Sequence, residues 1–300
     1  MIHTGLSDRK REALAYGLGA VVCWSLLAPS VVLAVRAMNP WLTLFYTFGF
    51  SSLFLAMATL TTGRWKRLSD FRGEHGLRSL ALGVYGIAGY HFLYYLAFTL
   101  APRAETNTLN YLWPLLTVMF GMLANRSLFR WSAVWGAVLG FAGAVLVIAG
   151  GDGVHPEGGN ASGYALAVGA ALVWSSYSVL LGRRQLEPVS SNLAFNAATC
   201  VIAGLMVAWM GVFRLPSPRE AAGLAFAGVV PIAGGFLFWQ AGLNRGDPTI
   251  LGNLSFVIPF LSSLFLHVLV GVEFAPAALA GLALIVGGAW LGIGGVGPGG

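Results

Sequence analysis

The chain has 300 residues, of which 57% are apolar and 9% charged, and its formal net charge is +6. Soluble domains carry about 25% charged residues, and this chain lacks the polar groups that a water-facing surface of its size requires. A cytosolic enzyme, a nucleic-acid-binding module and a disordered polymer are therefore excluded, and a mean hydropathy of +0.76 leaves an integral membrane protein.

A helix needs about 20 apolar residues to cross a bilayer, and runs of that length follow one another along the chain. Residues 1–12, with Asp8-Arg9-Lys10-Arg11, lead into a run at 13–35, too long for the apolar core of a signal peptide. Asn39-Pro40 closes it and opens 41–62, and the basic stretch from Gly63 to Gly76 separates that run from 77–100. The tight turn Ala101-Pro102-Arg103 gives way to 104–124, and a fifth run covers 131–150. A polar, Gly-rich linker at 151–161 marks the midpoint. Beyond it lie runs at 162–181, 190–212, 221–243, 248–270 and 275–294, with Gly246-Asp247-Pro248 as another tight turn and an uncharged tail at 295–300. The expectation is an all-α polytopic membrane protein of ten transmembrane helices. Cys23 and Cys200 sit inside apolar runs and form no disulfide framework.

The basic residues fall in short clusters between the runs, as topology signals do. With the N-terminus in the cytoplasm, only Arg36, Arg103, Arg214 and Arg219 of the 17 Lys and Arg residues lie outside. The positive-inside rule then places both termini in the cytoplasm.

The halves resemble each other at an offset of 145 residues. Pro114 meets Pro259, Gly136 meets Gly281, Gly143 meets Gly288, and the two tight turns coincide. Trp24-Ser25 and Trp174-Ser175 correspond at an offset of 150. Five spans per half is an odd number, so the second repeat, 162–294, enters the membrane upside down relative to the first, 13–150. Inverted repeats around a midplane site are a mark of secondary transporters.

Polar side chains in a membrane helix are costly unless they face a cavity or a partner. Tyr90 and Tyr94 are four residues apart on one helix face, with His91 beside them. Asn107, Asn110, Tyr111 and Pro114 follow an i, i+3, i+4, i+7 spacing that makes one stripe of a single helix, and Trp113 flanks it. Pro114 removes a backbone donor and frees the carbonyl of Asn110. Trp174, Ser175 and Ser178 mark the sixth helix, and Gly252, Ser255, Phe256, Pro259 and Ser263 mark the ninth. Asn192, Asn196, Gln240 and Asn244 read as packing or gate residues, and Gly83, Gly86, Gly89, Gly136 and Gly140 as close helix packing. No Asp, Glu, Lys or Arg falls near the middle of a run, which points to a substrate without net charge and to facilitative transport. Trp24, Tyr90, His91, Tyr94, Asn110, Tyr111, Trp113 and Trp174 are expected to line the substrate site between the third, fourth and sixth helices. No metal, cofactor or catalytic group is expected, because His91 and His267 are isolated and no nucleophile–base or paired-carboxylate pattern occurs.

Ten helices in two inverted repeats resemble the EamA branch of the drug/metabolite transporter superfamily. Trp24-Ser25, Trp174-Ser175, the Pro-centred segments Tyr111-Leu112-Trp113-Pro114-Leu115 and Phe256-Val257-Ile258-Pro259-Phe260, and the acidic turn Gly271-Val272-Glu273 carry the resemblance. Asn125-Arg126-Ser127 departs from it, having no acid. Tyr90-His91-Phe92-Leu93-Tyr94-Tyr95 with Asn110-Tyr111-Leu112-Trp113-Pro114 resembles the aromatic amino-acid exporters of that branch. The resemblance implies a multi-pass exporter of a bacterial inner membrane, monomer or homodimer, whose partners are a small-molecule substrate and the lipid bilayer, not nucleic acid. Its substrates would be amino acids, aromatic and other neutral ones, and related metabolites. The alternative is a multidrug or apolar-metabolite exporter.

Overall fold

Prolines decide where the helices start and where they break. The computed structural model describes residues 2–34, 38–125, 130–149, 160–273 and 275–294, and among them all regular structure is helical. Four helices begin with a side-chain cap followed by proline: Asn39-Pro40, Glu187-Pro188, Ser217-Pro218 and Asp247-Pro248. The cap oxygen satisfies an N–H of the first turn, and proline at the first helical position gives up a donor with no partner there in any case. Ser217 and Glu220 complete a reciprocal capping box.

In chain order the helices are α1 (Ile2–Ser25), α2 (Leu27–Ala34), α3 (Pro40–Thr61), α4 (Gly73–Gly83), α5 (Tyr90–Leu100), α6 (Arg103–Asn110), α7 (Leu112–Asn125) and α8 (Trp131–Ala149). The second half holds α9 (Ala161–Arg184), α10 (Pro188–Met210), α11 (Pro218–Ala227), α12 (Gly235–Leu243), α13 (Pro248–Ser255), α14 (Ile258–Val270) and α15 (Ala277–Gly294). Among the described residues, eight helical stretches are long and apolar enough to cross a membrane. The charged leader is part of α1, and the basic stretch after α3 forms a 3-10 helix, Arg64–Phe71. Residues 126–129, residues 150–159 (most of the linker expected at 151–161) and the expected tail at 295–300 lie outside the described residues.

Three expected spans are not continuous. The first breaks after Ser25, the fourth after Asn110 and the ninth after Ser255. Each break follows the residue four positions before a proline, namely Pro29, Pro114 and Pro259. A proline ring clashes with the carbonyl four residues back and offers it no N–H, so the α-helix ends there and restarts one or two residues on. The expected stripe from Asn107 to Pro114 therefore does not run along one helix. Tyr111 is the joint between α6 and α7, its N–H shared between the Asn107 and Thr108 carbonyls at 3.0 and 3.1 Å. The sixth span has no such proline, and α9 runs unbroken.

Two wide turns interrupt the third and eighth spans. Val84–Gly89 links α4 to α5 and Gly228–Gly234 links α11 to α12, both π-helical. Position 89 plus 145 is 234, so the two π segments end at equivalent places. Tyr177 packs against Gly86 and Phe195 against Gly83, too closely for a Cβ at either glycine.

The halves meet through two antiparallel pairs, α3 with α10 and α8 with α15. Asn196 donates to Ser51 Oγ at 2.8 Å, and these residues are 145 apart. In the other pair the glycines cross over. A Cβ on Gly136 would stand 2.5 Å from the Gly288 carbonyl oxygen, and one on Gly143 would stand 2.5 Å from that of Gly281. Backbones this close have exchanged side-chain packing for main-chain contact.

Candidate functional site

The broken helices bring four tryptophans to one point. Trp24 stands in the last turn of α1, just before the Ser25 break, and Trp113 in the first turn of α7, just after the Tyr111 joint. Trp174 lies in the middle of α9 and Trp239 in α12. Ring centroids are 6.1 Å apart for Trp24–Trp113, 5.7 Å for Trp24–Trp174, 5.3 Å for Trp24–Trp239 and 5.7 Å for Trp113–Trp239. Most of these contacts are edge-to-face, the favoured arrangement for ring quadrupoles. Trp113, Trp174 and Trp239 are buried, while Trp24 is only half-buried.

Serines next to these rings hold the breaks in place. Ser175 Oγ lies 2.8 Å from the Trp113 carbonyl. Its counterpart Ser25 Oγ lies 3.4 Å from the Ile258 carbonyl, and Ile258 is Trp113 displaced by 145. Each serine of one half thus reaches the restarted helix of the other. Trp239 donates its indole N–H to Ser178 at 3.1 Å, which ties α12 to α9.

A second row of polar aromatics runs from the tryptophans along α5. Tyr90 meets Trp174 at 5.4 Å, His91 at 4.9 Å and Tyr94 at 5.6 Å. Asn110 donates to the Tyr90 hydroxyl at 3.0 Å, and the Tyr94 hydroxyl donates to Asn107 at 2.7 Å. These bonds stitch α5 to α6. Asn110 keeps its Oδ1 buried and without a partner, an acceptor available to a bound molecule. His91 Nδ1 sits 2.7 Å from the Ile87 carbonyl. A carbonyl only accepts, so Nδ1 carries the proton and Nε2 is the acceptor of the neutral ring. Phe48 and Phe236 box the imidazole at 5.1 and 6.4 Å.

Of the residues expected from sequence, Trp24, Trp113 and Trp174 touch one another, and Tyr90, His91, Tyr94 and Asn110 join them through Tyr90. Tyr111 occupies the α6–α7 joint, half-buried against the hydrophobic clusters on both sides of it. Sequence reasoning missed Trp239, Phe236, Tyr177 and Phe48. The first two were within reach, because Tyr94 and His91 displaced by 145 are Trp239 and Phe236. Gln240, expected as a packing or gate residue, sits in a buried hydrogen-bond network between α10 and α12. It accepts from Asn192 at 2.7 Å and donates to Ser191 at 2.8 Å and to the Leu186 carbonyl at 3.3 Å.

Two cavities flank the aromatic centre. One, of about 340 Å³, lies among the start of α1, the end of α9 and the α12–α13 turn. The other, of about 550 Å³, lies between α6 and α9 and is walled mainly by apolar atoms. Among the described residues no three His, Cys, Asp or Glu side chains gather as a metal site would require. The arrangement gathers indole surface beside amide, hydroxyl and imidazole groups, partners for an apolar group and for a polar head.

Comparison with known proteins places this architecture. The model of the EamA-like transporter family matches the chain twice, at residues 11–149 and 161–293. The aromatic amino acid exporter YddG of Ancylobacter novellus is 35% identical, over 93% of this chain and 96% of its own length. The exporter of the same name from Salmonella typhimurium is 26% identical over 84% of this chain and 87% of its own. A solved crystal structure superposes with a TM-score of 0.86 at 31% identity, covering 94% of this chain and 97% of that one. With its polytopic helical fold and both halves matched, the chain is a multi-pass membrane protein that belongs to the EamA-like transporter family.

Proposed function

We propose that this protein exports neutral amino acids, aromatic ones foremost, and related metabolites across a bacterial inner membrane by alternating access. The observation that carries this reading is the meeting of four tryptophans with the Tyr90–His91–Asn110 row at the helix breaks. Trp113, Trp174 and Trp24 pack on the substrate's side chain. Asn110 Oδ1, His91 and the hydroxyls of Tyr90, Tyr94 and Tyr111 hold its ammonium and carboxylate. Indole faces also attract an ammonium, each contact contributing about 0.5–2 kcal/mol. The relatives named as aromatic amino acid exporters support this substrate class.

In this reading ten spans form two inverted repeats, 13–150 and 162–294, joined by an external linker, with both termini in the cytoplasm. Equivalent proline breaks and π segments in the two halves give each gate a mirror on the other side of the membrane, which alternating access requires. Transport is facilitative. Glu105 is buried but stands in the first turn of α6, away from the aromatic centre.

The test is uptake of labelled phenylalanine into proteoliposomes by the wild type and by Trp113→Ala, Trp174→Ala and His91→Ala variants, each checked for monodispersity. The two tryptophan changes raise the half-saturation concentration or abolish uptake. Wild-type kinetics in all three would place the site elsewhere. Competition by hydrophobic cations but not by zwitterions would favour the apolar-metabolite reading instead.

A further inference from the structure

Three arginines from different parts of the chain face one cavity. Arg9 of α1, Arg183 at the end of α9 and Arg245 in the turn before α13 all line the 340 Å³ opening, and no carboxylate is among its described lining residues. Glu12 and Asp247 are nearby but engaged. Glu12 pairs with Arg245 at 2.9 Å, and Asp247 caps α13 by accepting from the Thr249 N–H at 2.9 Å. Arg245 is further fixed by the Ala241 carbonyl at 3.1 Å and by the Tyr16 ring, whose centroid is 4.7 Å away. Arg183 donates to the Ala124 carbonyl at the end of α7. The guanidinium groups of Arg183 and Arg245 are therefore held in place beside an open space.

Asn244 also stands on this wall. Its Nδ2 donates to the Leu186 carbonyl at 2.9 Å, while its Oδ1 is buried with no partner. The opening lies on the helices that carry Trp174 and Trp239. Val179 and Leu243 are among its apolar lining residues. Val179 is five residues past Trp174 and Leu243 four past Trp239, about 6–8 Å along their helices at 1.5 Å per residue. Cationic groups around the opening, an unmet acceptor beside them and the apolar side chains of Val179 and Leu243 match a small zwitterion with an apolar side chain.

We propose that this cavity is a docking site at the cytoplasmic mouth, where the transporter captures the carboxylate of its substrate before passing it to the tryptophans. The inference rests on the amino-acid reading above and adds a second binding site to it. Arg183 and Arg245 bind the carboxylate, Arg9 raises the local potential, and Asn244 Oδ1 accepts from the ammonium. Arginines in a recessed cavity concentrate an anionic group and speed its capture, an effect that salt weakens. The shared chemistry is an oxyanion, and a lipid headgroup phosphate is the competing source.

The experiment uses the full chain with Cys23→Ala and Cys200→Ser, carrying Gln185→Cys on the cavity wall, in phosphatidylcholine vesicles. Labelling rates are compared for an anionic and a cationic methanethiosulfonate. The anionic reagent reacts faster by about fivefold or more, in line with electrostatic steering in a cleft. Added Arg183→Gln and Arg245→Gln abolish that preference, Arg183→Lys keeps it, and high salt reduces it. Millimolar phenylalanine slows the anionic reagent, and phenylalaninamide does not. Equal rates for the two reagents, a preference untouched by the arginine changes, or equal protection by phenylalanine and its amide would overturn the proposal. Protection by added phosphatidylglycerol with none by phenylalanine would also overturn it, assigning the site to lipid phosphate. Protection by phenylacetate in a protein that transports no amino acid would sink the functional reading while leaving the oxyanion site standing.

Discussion

Hydrogen bonds between side chains decide how this site keeps its shape, and two of them make testable demands. The Asn110–Tyr90 bond joins α6 to α5 next to the tryptophans. Tyr90→Phe leaves the Asn110 amide buried with neither its oxygen nor this N–H paired. Side-chain hydrogen bonds in membrane proteins are worth about 0.6–2 kcal/mol. The variant should therefore fold with a slightly lower melting temperature in detergent, and transport of zwitterions should suffer more than that of purely apolar solutes. Gln240 carries more. Replacing it with Leu removes its bonds to Ser191, Asn192 and the Leu186 carbonyl together, so Gln240→Leu should lower the melting temperature further than Tyr90→Phe. The reverse order would mean that the network at the end of α10 and α12 is not what holds those helices.

At the scale of the helices, small residues and prolines do the shaping. Gly136, Gly143, Gly281 and Gly288 let α8 and α15 touch backbone to backbone. Gly143→Val places branched carbons where the Gly281 carbonyl stands, and it should cost more than 2 kcal/mol by overpacking alone, seen as lost monodispersity on size-exclusion chromatography. Gly287→Val, on α15 next to Gly288 but with open space at its Cβ, should behave as the wild type. The π segment before Tyr90 makes a different demand. A π turn holds one residue more than an α turn, so deleting Ala88 should restore an α-helix and close the widened turn that leads into Tyr90 and His91. Export should fall below detection while α-helical content stays unchanged.

These elements also show what the sequence could and could not reveal. Helix starts at Asn39-Pro40 and Asp247-Pro248 were legible, because cap and proline are local signals. The freed carbonyl of Asn110 was legible too. That the whole helix would stop there was not, since a proline inside an apolar run can either kink a helix or end it. The π segments left no periodic trace in sequences as small and apolar as Val84–Gly89 and Gly228–Gly234. Trp239 and Phe236 escaped notice because they look like ordinary lipid-facing residues in an apolar run. Only the 145-residue offset singles them out.

For the whole molecule, the repeated geometry carries the functional argument. Ser25 reaches toward Ile258 as Ser175 reaches Trp113, and Asn196 meets Ser51 across the α3–α10 pair. In the proposed alternating-access mechanism, such reciprocal contacts are where one half would rock against the other. The proposed topology rests on the basic residues and can be checked by cysteine labelling in a background with Cys23→Ala and Cys200→Ser. Ser69→Cys should react from the cytoplasmic side and Asn160→Cys from the opposite side. Reaction of both from one side would contradict two inverted five-span halves. An imposed pH gradient should leave the equilibrium distribution of substrate unchanged. Uphill accumulation that follows the gradient and disappears in His91→Ala would show proton coupling instead.

The central claim is that this protein carries aromatic amino acids through the tryptophan-lined centre. It is tested most directly by solute counterflow in proteoliposomes preloaded with unlabelled phenylalanine. The wild type should accumulate external labelled phenylalanine to a transient peak above equilibrium, and the peak should vanish in Trp174→Ala protein that remains monodisperse. The absence of a peak with the wild type, or an undiminished peak with Trp174→Ala, would contradict the account.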